Sequence, residues 1–106
     1  MLVTTRVTMA RHYTYTIDHT PVGEAQIHGD LHAHVFEIWS FEIYPPYQRT
    51  GYGEAFYRQL EARIPRNTSV VLWVKQDNEE GLAFWQAMGF EAGFANIRGY
   101  RMYKEI

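Results

Sequence analysis

Hydrophobic positions alternate along the first half of the chain and recur every three to four residues along much of the second. Val7, Met9, Tyr13, Tyr15 and Ile17 stand at odd positions with more polar residues between them, a period near two that predicts a strand. Asp18 to Gly23 carries turn chemistry, so a hairpin is expected there. Gly23, Ala25 and Ile27 then alternate with Glu24, Gln26 and His28, and a second turn is predicted around Gly29-Asp30. From Val35 to Tyr44 both parities carry large apolar groups. Strict alternation puts Val35, Glu37, Trp39, Phe41 and Ile43 on one face, as in a central strand covered on both sides. Pro45-Pro46 ends it, because proline donates nothing to a ladder.

The period changes after Gly51. Tyr52, Phe56, Leu60 and Ile64 recur every four residues, which predicts a helix stopped by Pro65. Val70 to Val74 reads as a short buried strand. Asp77 or Asn78 can cap a second helix with Glu79 and Glu80 in its first turn. Leu82, Trp85 and Met88 form its apolar stripe, and Gly89 suits a helix C-terminus. From about Phe94 to Ile106 a strand-like alternation returns. The predicted order is three strands, then helix, strand, helix, strand: an α/β (α+β) mixed sheet with helices on its faces.

Composition narrows the function classes. The 106 residues are 46% hydrophobic and 21% charged, which fits a folded domain. A formal net charge of −2, with Arg49, Arg58, Arg63 and Arg66 interleaved with acids and apolar residues, argues against nucleic acid as a partner. The absence of cysteine excludes disulfides, thiolate metal sites and a cysteine nucleophile. The sequence contains no segment long enough to cross a bilayer as a helix, and a cytoplasmic protein without a membrane partner is the simplest expectation.

The loop Gln48-Arg49-Thr50-Gly51-Tyr52-Gly53 carries the candidate chemistry. A strand, a glycine-containing turn and a helix start make an anion site, because the first helical turn has unpaired backbone N–H groups. Gly51 and Gly53 let the backbone approach a phosphate, and Arg49 adds a guanidinium. Two glycines alone fit an ordinary strand–helix connector equally well. No Lys-Ser/Thr pair follows, so this is not a Walker loop, and the dinucleotide fingerprint needs a third glycine.

The hexapeptide resembles the Q/R-x-x-G-x-G/A signature of the GNAT superfamily of acetyl-coenzyme A-dependent N-acetyltransferases. Ile43-Tyr44-Pro45 is similar to the strand end that precedes the loop in that family. Asn78, Phe84 and Gly89-Phe90 match its N-x-x-A-x-x-F-Y-x-x-x-G-F pattern in type and spacing. The resemblance covers roughly Val22 to Phe90 and implies one GNAT-like domain over residues 1–106, with the N-terminal helices truncated. It implies acetyl-coenzyme A as cosubstrate, with no metal. Backbone groups of Phe41 and Ile43 would pair with the pantetheine arm. Gln48, Arg49, Thr50, Gly51, Tyr52 and Gly53, with Glu54 at the helix start, would hold the pyrophosphate, and Asn78 would contact the cofactor. Two positions depart from the pattern: Gly81 stands for the usual alanine and Trp85 for the usual tyrosine, which often protonates the leaving thiolate.

Acetyl transfer to an amine requires a deprotonated nucleophile. Glu37 is the expected base: it lies eleven positions before Gln48, where histone-acetyltransferase-like members keep a glutamate. Glu42 is the rival on the opposite parity. His28, His32 and His34 have no diagnostic metal spacing and read as surface histidines. Tyr57, Tyr100 and Tyr103 are the candidate acids. The leading expectation is direct transfer from acetyl-coenzyme A to an amine acceptor, either a protein lysine or N-terminus or a small amine, in a ternary complex. Alternatives are a catalytically weak coenzyme A-binding module and a protein-interaction module on the same fold. A homodimer built on the C-terminal aromatics would be one way to complete the acceptor side.

Overall fold

The computed structural model describes residues 8–30 and 32–106. Its elements are β1 (Thr8–Ile17), β2 (Thr20–Asp30), β3 (Val35–Ile43), a 3₁₀ turn (Pro45–Tyr47), α1 (Tyr52–Ala62), β4 (Ser69–Val74), α2 (Glu79–Ala87), β5 (Glu91–Asn96) and β6 (Gly99–Glu105). They build one six-stranded sheet in the order β1-β2-β3-β4-β6-β5. All neighbours are antiparallel except β3 and β4. The element at Val7 lies outside the described residues, and β1 begins at Thr8.

The first turn is tighter than the sequence predicts. Only Asp18 and His19 separate β1 from β2, both with positive φ (50° and 68°), the two-residue geometry whose twist matches the flanking strands. The second predicted turn is displaced. Gly29 and Asp30 remain in β2, and the reversal follows, with Asp30 Oδ1 accepting from the N–H groups of His32 and Ala33 (both 3.1 Å). Gly29 serves close packing instead: a Cβ there would sit 2.7 Å from the Phe36 ring. The C-terminal segment is also a correction. Where one strand was expected, β5 and β6 form a hairpin through Asn96-Ile97-Arg98-Gly99.

Both helices pack on one face of the sheet. Phe41 of β3 touches Phe56 of α1 (5.1 Å between ring centroids) and Trp85 of α2 (5.1 Å), so the two helices meet over the same strand. Beneath them lie Val22, Ala25, Ile27, Phe36, Ile38, Val70, Leu72 and Met102, all buried. Burial of this apolar surface is the main stabilising contribution, at about 25 cal/mol per Å². The opposite face carries His28, Glu37, Trp73, Arg101 and Tyr103, each at least partly exposed.

A β-bulge decides which face β3 presents. Gln26 pairs with Ser40 but Ile27 pairs with Ile38, which leaves Trp39 as the extra residue. Strict alternation therefore fails at Trp39. Phe36 and Ile38 before the bulge share the helix-covered face with Phe41 and Ile43 after it. Glu37 points to the other side, where its Oε2 accepts from Arg101 Nη1 at 2.9 Å. The expected common face for Glu37, Phe41 and Ile43 is thus corrected.

Candidate functional site

β3 and β4 run together only briefly. Val35, Phe36 and Glu37 pair with Ser69, Val70 and Val71; beyond them β4 continues against β6 alone. From Ile38 onward β3 presents a strand edge with no ladder partner on that side among the described residues. Such an edge offers backbone N–H and C=O groups to an extended ligand. One of these groups, the Ile43 carbonyl, accepts from Gln48 Nε2 at 2.7 Å.

The loop after β3 is held by its own side chains. Thr50 Oγ1 donates to the Tyr47 carbonyl at 2.6 Å, and Arg49 adopts a positive φ of 64°. Gly51 caps α1 with φ 85°, and no side chain satisfies the first-turn N–H groups. The helix therefore opens with free donors and a positive dipole end aimed at the loop. A Cβ on Gly53 would lie 3.1 Å from Phe84, so this glycine lets α1 approach α2 closely. Arg49 reaches across to α2, where Nη2 lies 3.1 Å from Glu80 Oε1; both side chains are over four-fifths exposed, so exchanging this pair for another anion costs little.

Between β3, this loop and α2 lies a groove of about 560 Å³. Phe41 and Ile43 form one wall, Gln48, Arg49, Gly51, Gly53 and Glu54 one end, and Asn78, Glu80, Gly81, Phe84 and Trp85 the α2 side. A second cavity of about 400 Å³ opens where β3 and β4 diverge, lined by Trp39, Ser40, Trp73 and Lys75 among others. Phe41, Asn78 and Trp85 border both, so the two spaces adjoin at these three residues.

Asn78 caps α2: its Oδ1 accepts from Gly81 N at 2.9 Å. At Gly81, the first departure, a Cβ would meet the Asn78 side-chain amide, which would have to shift to make room. Trp85, the other departure, is 8% exposed and packs edge-on against Phe41, Tyr57, Phe84 and Phe90. Of the predicted site residues, Phe41, Ile43, Gln48, Arg49, Gly51, Gly53, Glu54 and Asn78 line the groove. Thr50 braces the loop. Tyr52 begins α1 and packs edge-on against Tyr15 (6.4 Å). Glu37 stands apart from them on the open face.

The candidate acids lie elsewhere. Tyr57 is buried, and its hydroxyl donates to Glu61 at 3.3 Å; burial first, and the Glu61 carboxylate second, push its pKa well above the ordinary phenol value. Tyr103 donates to Glu91 at 2.8 Å on the open face, and that hydrogen bond chiefly raises its pKa. Tyr100 packs half-buried against the core. None of the three lines the groove. The periodicity does not single out Trp39, Trp73 and Lys75. Their grouping depends on the bulge and on the divergence of two strands. Among the described residues no cluster of three or more His, Asp or Glu could hold a metal ion.

A diverging parallel strand pair, a glycine loop opening a helix and an asparagine-capped second helix define an acetyltransferase fold of the GNAT type. The chain belongs to the acetyltransferase (GNAT) family, whose model matches residues 6–90. A search of curated proteins finds no match. Among solved structures, the chain is similar to the PaiA N-acetyltransferase of Thermoplasma acidophilum in complex with coenzyme A. Identity there is 20% and the TM-score 0.70, over 92% of this chain and 61% of that one. It is similar to Ard1 of Thermoplasma volcanium at 25% identity and TM-score 0.68, covering 86% of this chain and 67% of that one. Arabidopsis thaliana Naa50, in complex with the bisubstrate analogue CoA-Ac-MVNAL, matches at 20% identity and TM-score 0.69, over 82% and 67%. The chain thus spans about three fifths of the length of the Thermoplasma acidophilum protein.

Proposed function

We propose that the protein is an N-acetyltransferase that moves an acetyl group from acetyl-coenzyme A to a primary amine held in the same cleft. The observation that carries this reading is the groove itself. It joins an unpaired β3 edge to a glycine-capped helix start, and it opens at Phe41, Asn78 and Trp85 into a second cavity. The residues present fit the cosubstrate. The uncapped first turn of α1 supplies donors for a pyrophosphate, with Arg49 beside it. The β3 edge beyond Ile38 can hydrogen-bond an amide-bearing arm, with the Gln48 side chain giving up the Ile43 carbonyl. The thioester end then falls where the two cavities meet.

The amine must arrive as R–NH₂. Its nitrogen bonds to the thioester carbonyl carbon, the C–S bond breaks, the second amine proton leaves, and coenzyme A departs as thiol after taking up a proton. Glu37 is the proposed acceptor of the amine proton, directly or through a water. Its carboxylate lies on the open face of β3, and Arg101 fixes its orientation. Trp85 cannot supply the thiol proton, since indole nitrogen is no acid near neutrality.

Glu37→Gln should lower kcat by about 10²-fold or more and leave acetyl-coenzyme A affinity within about twofold. Steady-state rates from about pH 6 to 9 check this; a full rate across that range would remove Glu37 from the mechanism. Asn78→Ala should cost about 1 kcal/mol of stability through the lost cap. The same variant should weaken acetyl-coenzyme A binding several-fold, read by chemical denaturation and calorimetry. A coenzyme A-binding module without transfer would show binding but no thiol release with any amine.

A further inference from the structure

The second cavity differs from the groove in its chemistry. Its outer walls are two tryptophans, Trp39 on β3 and Trp73 on β4. Each ring has a packed neighbour. Trp39 stacks on His28 at 3.3 Å between centroids and 13° between planes. Trp73 has the Arg101 guanidinium 4.8 Å from its centroid and the Phe94 ring edge-on at 5.7 Å. Rings braced in this way lose little freedom when a ligand enters, so they bind flat apolar groups at low entropic cost.

The charge around the cavity points the same way. Among the described residues, Lys75 is the one ionisable side chain lining it. Arg98 and Arg101 both stand over Trp73. On this face of β3 the Glu37 carboxylate is engaged by Arg101. A polyamine or a lysine-rich peptide would bring further positive charge beside Lys75. A single amine on an aromatic body brings an apolar surface to two tryptophans and places only one positive charge near Lys75.

We infer that the amine acceptor is a small monoamine with a flat aromatic body, seated between Trp39 and Trp73 with its nitrogen toward Phe41 and Asn78. This rests on the acetyltransferase reading. The transfer is the one already written: the primary amine nitrogen gains the acetyl group and loses a proton, and coenzyme A leaves as thiol. The aromatic-bodied amine can come from two sources. A plain arylalkylamine carries no carboxylate, whereas an aromatic amino acid would set its carboxylate beside Lys75.

The test uses the full chain, acetyl-coenzyme A, and an acceptor panel of phenethylamine, tryptamine, phenylalanine, tryptophan, spermidine and a lysine-containing peptide, with thiol release as the readout. Aromatic monoamines should exceed spermidine and the peptide by about tenfold or more in kcat/KM. Higher turnover of phenylalanine and tryptophan than of the plain amines supports the inference and assigns the amino-acid source. Trp39→Ala should raise the KM for the aromatic acceptor by about tenfold and leave calorimetric acetyl-coenzyme A affinity unchanged. Preference for spermidine or the peptide overturns the inference and leaves the acetyltransferase reading standing. If acetyl-coenzyme A binds but no amine is acetylated, the transfer reading fails. Direct calorimetric binding to the coenzyme A-loaded protein then decides the inference: tighter phenethylamine than spermidine upholds it, and the reverse order overturns it.

Discussion

Gly51→Asp should abolish acetyl-coenzyme A binding and leave the protein folded. Gly51 caps α1 at φ 85°, and the first-turn N–H groups beyond it have no side-chain partner. Those donors are the reason a phosphate would sit there. A carboxylate at the cap would compete for them and face the phosphate charge. Two unit charges about 4 Å apart near a protein surface repel by about 4 kcal/mol. A loss of about 3 kcal/mol already weakens binding more than 100-fold. The fold should survive, because a Cβ at Gly51 meets nothing within 4 Å. The positive φ costs a non-glycine residue about 1–2 kcal/mol, less for aspartate or asparagine. Gly51→Asn is the discriminating partner: it imposes similar backbone cost without the charge and should bind far better than the aspartate variant. Calorimetry on both separates charge from geometry. Equal losses would mean the loop's conformation, not its electrostatics, holds the ligand.

Trp85→Ala should have the largest effect on stability. The indole touches four other rings: Phe84 at 4.9 Å, Phe41 at 5.1 Å, Phe90 at 5.2 Å and Tyr57 at 5.5 Å between centroids. It joins α2 to α1 and to β3 at the point where the sheet divides. Removing a buried aromatic of this size costs about 3–5 kcal/mol. A domain of this length is stable by about 5–15 kcal/mol, so about a fifth of the margin or more is at risk. The melting temperature should fall by about 12 °C or more, followed by far-UV circular dichroism. Trp85→Phe keeps a ring in the cluster and should cost less than half as much. A drop of only a few degrees for the alanine variant would show that the aromatic cluster does not hold α2. The same substitution opens both cavities at their junction, so coenzyme A affinity should fall as well.

Much of this was legible in the sequence, for identifiable reasons. The four-residue recurrence of Tyr52, Phe56, Leu60 and Ile64 marks α1 because a helix covering a sheet needs one apolar stripe, although the helix itself ends at Ala62, before Ile64. Residue type offers Asp77 or Asn78 as the cap of α2, and it is Asn78 whose Oδ1 receives the Gly81 N–H. The glycine loop was visible as a motif, and most of its residues do line one groove. What escaped the pattern depends on neighbours far along the chain. The bulge at Trp39 is set by pairing with β2, so alternation along β3 alone put Glu37 on the wrong face. The β5–β6 hairpin was hidden because Glu91 to Asn96 is a short, exposed edge strand with little apolar periodicity. Gly29 looked like a turn residue, whereas the Phe36 ring is what requires it. The two tryptophans of the second cavity come from strands thirty-four positions apart, and only the divergence of those strands places them together.

The central claim is that the groove between β3, the glycine loop and α2 holds acetyl-coenzyme A. Calorimetric titration of the full chain with acetyl-coenzyme A tests it most directly. One molecule should bind per chain, with saturable heat that disappears in Gly51→Asp. A wild-type protein that gives no saturable heat, or a Gly51→Asp variant that binds as the wild type does, would contradict it.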